Sequence, residues 1–282
     1  MSRTRLFLLI GAAGLVALTF ALACIGPIPQ DPGYHRFADT RGFLGIPRFG
    51  DVASNLPFLV IGAAGLWLVG ARGRVLRGAA QGVHGAESGG ANGRRSGPVF
   101  LDPEERRAWL LVFAAIALVG VGSGYYHWDP STPRLVWDRL PMTLVFTAFT
   151  AIQVMERIGT RAGARLLLPF LAAGIASVVY WQFTEYQGRG DLRPYAVVQY
   201  LPFLAIPLML ALFPARYTRT RDFAGVFACY TAAKLFEALD GPIFRALGGA
   251  VSGHTLKHLA AASATACLLV MVVRRRPIGL TD

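Results

Sequence analysis

Charge is what this sequence has least of. Only 16% of its 282 residues are Asp, Glu, Lys or Arg, while 54% are hydrophobic and the mean hydropathy is +0.46. Soluble domains carry about 25% charged residues, so the composition excludes an ordinary soluble domain and points to a membrane. Acidic residues are scarcer than basic ones, 16 against 28, which gives a formal net charge of +12. Such an excess can mark a nucleic-acid-binding protein, but here the arginines lie between apolar runs rather than on one basic face. That distribution fits membrane orientation and argues against a nucleic-acid partner. Cysteine is rare too: Cys24, Cys229 and Cys267 sit in or beside apolar segments without metal-type spacing. A disulfide framework is thereby excluded. No internal repeat is visible, and no stretch outside the apolar runs is large enough to fold alone.

What the sequence does have is apolar runs of spanning length. They cover residues 6–25, 52–71, 109–126, 135–155, 166–183, 195–213, 223–239 and 255–273, which predicts eight transmembrane helices in a single all-α polytopic domain over 1–282. The first run follows Arg3 and Arg5 and ends in Ala21-Leu22-Ala23-Cys24. It reads as an uncleaved span, with a signal peptide as the alternative. Residues 72–105 are rich in Gly, Arg and Ser and read as a disordered cytoplasmic loop in which His84 is simply solvated. With the N-terminus inside, Arg3, Arg5, Arg72, Arg157, Arg216 and Arg274–Arg276 all fall on the cytoplasmic side. The opposite loops mix fewer arginines with acids such as Asp31, Asp39, Asp129 and Asp191. The positive-inside rule then places both termini in the cytoplasm.

That topology brings the ionisable residues near span ends to one membrane depth, toward the outside. His254 and His258, four residues apart, share one face of the last helix. His127 closes the third span, with Ser123 one turn earlier, and Asp138 opens the fourth. Asp51, Ser54 and Asn55 open the second. Taken singly, each has a plain reading: a serine bonded to its own helix, a histidine at the headgroup boundary, an aspartate at a helix N-terminus or paired with Arg139. Taken together, three imidazoles at one depth can hold a tetrahedral zinc with one open position. Lys234, Glu237 and Asp240 read as an internal ion-pair ladder, and Lys257 as a lysine that snorkels.

Ser123-x3-His127, Asp138 eleven residues later, and His254-x3-His258 in the last span resemble the CREST superfamily of membrane hydrolases. That superfamily groups alkaline ceramidases, adiponectin-type receptors and lipid-remodelling proteins. The connector Asp31-Pro32-Gly33-Tyr34-His35-Arg36-Phe37-Ala38-Asp39, followed by Asp51-Val52-Ala53-Ser54-Asn55, is most similar to the bacterial ceramidase-like branch. The resemblance spans residues 30 to 275 and implies a seven-helix core, so the run at 6–25 would be an extra span. It further implies zinc on His127, His254 and His258, with Ser123 stabilising the oxyanion and Asp138 handling protons. The Asp-Trp-x-Glu calcium motif of the eukaryotic ceramidases is absent, because Pro-Gly-Tyr follows Asp31. Calcium is therefore not expected, and Asp39 and Asp51 remain candidates for a second metal or for groups supporting the first.

The expected function is hydrolysis of the amide bond of ceramide-like lipids by zinc-activated water, with the lipid arriving laterally from the bilayer. The expected location is a bacterial inner membrane, with the site toward the periplasmic face. The alternatives are a phospholipid-ester remodelling hydrolase, a receptor or transporter with a structural zinc, and an intramembrane serine protease built on Ser123. The sequence does not specify an oligomeric state.

Overall fold

In a bilayer every backbone N–H and C=O must be satisfied within the protein, which is why long apolar runs fold as helices. A computed structural model describes residues 24–76 and 98–279, together with Leu6, Gly11 and Gly14. The expected span at 6–25 lies largely outside the described residues, as do 77–97 with His84. Helices α1 (Phe49–Ala53), α2 (Leu56–Ala71), α3 (Pro103–Trp128), α4 (Thr132–Arg157) and α5 (Thr160–Tyr186) come first. Then follow α6 (Arg193–Leu212), α7 (Asp222–Ala238), α8 (Asp240–Ala246) and α9 (Gly253–Arg274). Among the described residues, six segments are long and apolar enough to cross a membrane: α1 with α2, then α3, α4, α5, α6 and α9. The expected span at 223–239 is the 17-residue α7, about 25 Å long and somewhat short of a hydrocarbon core of about 30 Å.

The protein is thus an all-α membrane protein. Helix α4 lies against α3, α5 and α6, and α9 packs on α2 and α7. Trp109, Phe113, Ile116, Ile152 and Met155 are fully buried between them, whereas Leu168, Val179, Phe183 and Leu204 face outward, as lipid-facing residues would.

Two features differ from the sequence expectation. The second span is not one helix: α1 and α2 are separated at Ser54–Asn55, with Pro57 at the start of α2, where its missing N–H costs nothing. The flanks of the 72–105 loop are also structured. Strand β1 (Arg74–Val75) pairs in parallel with β2 (Val99–Phe100), and α3 begins at Pro103, six residues before the expected span.

One end of the bundle is rich in arginine. There Arg275, 1% exposed, places Nη1 2.7 and 2.8 Å from the two Glu156 oxygens. Glu156 Oε1 also accepts from Trp109 Nε1 at 2.8 Å. Arg216 binds Glu105 and Asp102, and Tyr217 donates to Glu105. The C-terminal segment bridges back to this cluster through Tyr217 and Pro277. The histidines gather at the opposite end.

Candidate metal centre

Close helix packing sets the position of each group at the histidine end. At Gly122 a Cβ would stand 2.0 Å from the Trp137 carbonyl oxygen. Glycine therefore allows the contact of α3 with α4 that brings the turn carrying Ser123 and His127 beside the one carrying Asp138. At Gly253 a Cβ would lie 2.5 Å from the Phe236 carbonyl oxygen, so α9 begins tight against the junction of α7 and α8. Ser252 caps α9 by accepting from Thr255 N at 2.9 Å, and Asp240 accepts from His254 N at 2.8 Å.

His127, His254 and His258 converge there as a buried group that could hold a metal ion, with ligand atoms all within 4.8 Å of one another. His127 Nε2 and His254 Nε2 are 3.2 Å apart. Two nitrogens on a tetrahedral zinc, each about 2.0–2.1 Å from it, stand about 3.3 Å apart, so this spacing fits.

The tautomer of His258 follows from its neighbours. Ser54 Oγ donates to the Asp51 carbonyl at 3.2 Å, and Asn55 Nδ2 donates to the same oxygen at 2.7 Å. A hydroxyl has one proton to give, so at 2.8 Å it accepts from His258 Nδ1. The Nε2 lone pair is left facing the cluster, buried and without a partner among the described residues. A ring nitrogen tied back to a neighbour while the other stays free is the arrangement that orients a metal-binding histidine. His127 Nδ1 departs from it, being buried with no partner among the described residues.

No family model, curated protein or solved structure matches the chain. The functional reading therefore rests on this geometry and on the motif pattern.

Ser123, Asp138 and His258 line one cavity of ≈ 140 Å³, whose remaining wall is mostly apolar, including Phe146, Phe149, Phe203 and Leu268. Among the described residues Ser123 shares this cavity with His258 and makes no hydrogen bond to an imidazole. Asp138 does not pair with Arg139. That guanidinium instead donates to Gln30 at 2.6 Å and lies 4.2 Å over Trp181 and 4.8 Å over Tyr195.

The two outlying aspartates separate. Asp39 stands apart from the histidines, with both oxygens held by Arg41 at 2.8 and 2.7 Å in a surface pocket that also includes Gly50 and Thr255. That guanidinium keeps the Asp39 carboxyl below its usual range. Asp51 contributes through its backbone, which anchors Ser54 and Asn55. Its carboxylate accepts from Thr255 at 2.9 Å and Ser252 at 3.2 Å, fixing the start of α9.

The expected ladder of Lys234, Glu237 and Asp240 is also corrected. Asp240 is taken by the backbone of His254 and Ala38. Its place is filled by Lys257, which does not snorkel: its Nζ lies 2.7 Å from Glu237. Sequence reasoning missed Phe37 altogether. Its ring centroid sits 4.4 Å from that of His254 and 4.8 Å from that of His127, covering the cluster from the connector side. His35, in the same connector, is spent on Tyr126 at 2.9 Å and Thr132 at 3.1 Å. The aromatic residue two positions after His35 in a polar connector was the available signal, but spacing alone could not aim it.

Proposed function

We propose that the protein is a zinc-dependent, membrane-embedded hydrolase of ceramide-like lipid amides, with zinc held by His127, His254 and His258. The observation that carries this reading is the convergence of three buried imidazoles beside a largely apolar cavity that also contains Ser123 and Asp138. When bound, zinc supplies Lewis acidity toward the amide carbonyl and toward water.

The chain's own residues supply the rest. The Asp138 carboxylate takes a proton from the attacking water and returns it to the leaving nitrogen. Ser123 Oγ–H donates to the carbonyl oxygen as it gains charge, a contribution worth about 100-fold in rate. Ser54 fixes the His258 tautomer, and Phe37 keeps bulk water off the histidines. From His258 to Leu268 the cavity follows ten residues of α9, or about 15 Å, which is deep enough for much of an acyl chain.

The arginines at the other end, with the positive-inside rule, support a periplasmic site and cytoplasmic termini in a bacterial inner membrane. The resemblance to CREST hydrolases adds to the reading.

The test is metal content of the detergent-purified protein by mass spectrometry, wild type beside His254→Ala/His258→Ala, with fluorescent ceramide hydrolysis on the same samples. About one zinc per chain, lost in the variant together with amidase activity, is the expected result. Zinc without ceramide turnover would move the reading to a lipid ester or to a receptor with structural zinc. No zinc in either sample would sink it.

A further inference from the structure

The chain has 28 basic residues, of which two are lysines, Lys234 and Lys257. Both line the cavity beside the histidines, while every other cation in the chain is arginine. They share one carboxylate: Lys257 Nζ is 2.7 Å from Glu237 Oε1, and Lys234 Nζ is 2.8 Å from Glu237 Oε2. The Lys257 side chain is only 16% exposed. Asp138, Lys234, Glu237 and Lys257 line the cavity with charges that sum to zero. A divalent ion on three neutral imidazoles then adds two positive charges: Asp240 and Asp51 lie behind the histidines, and the cavity lining has no spare acid to offset them.

The hydrogen bonds of Lys257 lead the same way. An ammonium has three N–H donors. One goes to Glu237, and a second faces His254 Nε2 at 3.4 Å. That nitrogen has a single lone pair, and an ion held by the histidines takes it. Lys257 then needs another acceptor, and the space open to it is the cavity. A compact ammonium with rotatable donors suits an oxygen anion that arrives and leaves.

We propose that Lys257, steadied by Glu237 and backed by Lys234, binds an anionic oxygen group on the substrate, a carboxylate or phosphate on the amine side of the lipid amide. The preferred substrate is then an acidic lipid amide, and neutral ceramide is the weaker one. This specifies the substrate class of the hydrolase proposed above and rests on that reading.

Two matched pairs test it. N-palmitoylglycine and N-palmitoylethanolamine differ by a carboxylate for a hydroxymethyl group, and ceramide 1-phosphate and ceramide differ by the phosphate. The wild type is expected to favour at least one anionic member by about tenfold in kcat/KM, the worth of one hydrogen bond to a charged group. Lys257→Met, which leaves Glu237 paired with Lys234, should bring that ratio to about one, and Lys257→Arg should restore part of it. No preference in the wild type overturns the proposal. An equal loss on both members of a pair in Lys257→Met also overturns it, because the lysine would then act on the reacting carbonyl.

Binding supplies a readout independent of turnover. N-palmitoylglycine should raise the unfolding temperature of the detergent-solubilised wild type more than N-palmitoylethanolamine does, and Lys257→Met should erase the difference. If that difference holds but no amide is cleaved, the hydrolase reading fails and the anion site stands. Equal shifts for the two lipids sink the anion site whatever the enzyme does.

Discussion

The two ends of the bundle both bury polar groups, and to opposite effect. At the arginine end the buried charges are matched: Glu156 is bound by Arg275 and Trp109, and the Arg275 guanidinium, whose Nε and Nη2 have no hydrogen-bond partner among the described residues, lies 4.0 Å over the Tyr217 ring and 5.3 Å over Trp109. At the histidine end the network stays open. His258 Nε2 has no partner among the described residues, and two other Nε2 atoms face each other at 3.2 Å. Buried polar atoms are costly to leave unmatched, so a cation paired with a carboxylate and seated on aromatic rings reads as a staple, and converging imidazole nitrogens with no cation between them as a place to hold one.

Substitutions at each end can break that comparison. The largest effect is expected from His254→Ala/His258→Ala: loss of bound metal and hydrolysis at the background rate, in a protein that still elutes as a folded species in gel filtration. At the other end, Glu156→Ala strands the Arg275 charge in a buried site. It should cost about 3–5 kcal/mol of stability, measured by denaturant unfolding, while metal per folded chain stays constant. If Glu156→Ala also emptied the metal site, the two ends would be one cooperative unit and the contrast would be lost.

A subtler substitution sharpens the contrast. Ser54→Ala removes the acceptor that holds His258 Nδ1, and it should weaken metal affinity by about 10–100-fold without removing a ligand. Titration against a chelator of known affinity measures it. A wild-type affinity in Ser54→Ala would mean that the tautomer is set elsewhere.

These positions also mark how far the sequence could be read. Among the described residues the apolar runs were legible as helices, with ends up to about six residues out, because an apolar run in a bilayer has no other fold available. His254 and His258 were legible as a pair because helical periodicity alone puts them on one face. Contacts decided by tertiary approach were not. The break at Ser54–Asn55 makes sense only once His258, 204 residues from Ser54, is seen against it. Lys257 pairs with Glu237 on another helix, whereas the sequence pattern had Lys257 snorkelling and Asp240 completing the ladder with Lys234 and Glu237. Arg139 turned from its neighbour Asp138 toward Gln30 and three aromatic rings, and nothing local favours that choice. The pairing of Arg74–Val75 with Val99–Phe100 was hidden for the same reason: a two-residue strand has no periodicity to detect.

The smallest effect is expected at the rim, between α5 and α6. Asp191 accepts from Arg193 Nε and Nη2, each at 2.8 Å, and its carboxyl is held down to about 2 from the ordinary 3.8, mainly by those hydrogen bonds. Between those two values the unfolded chain binds the proton more readily than the folded one, so stability rises with pH through that window. The contribution is complete above pH about 4 and disappears as pH falls toward about 2. Asp191 is buried but its Arg193 partner is partly open to solvent, which screens the pair, so Asp191→Asn should cost about 1 kcal/mol near neutrality. Wild type and variant should converge in unfolding temperature as the pH is lowered through this range. A gap that persisted at pH about 2 would mean that Asp191 acts through its bonds to Tyr180 and the backbone of Arg193 rather than through its charge.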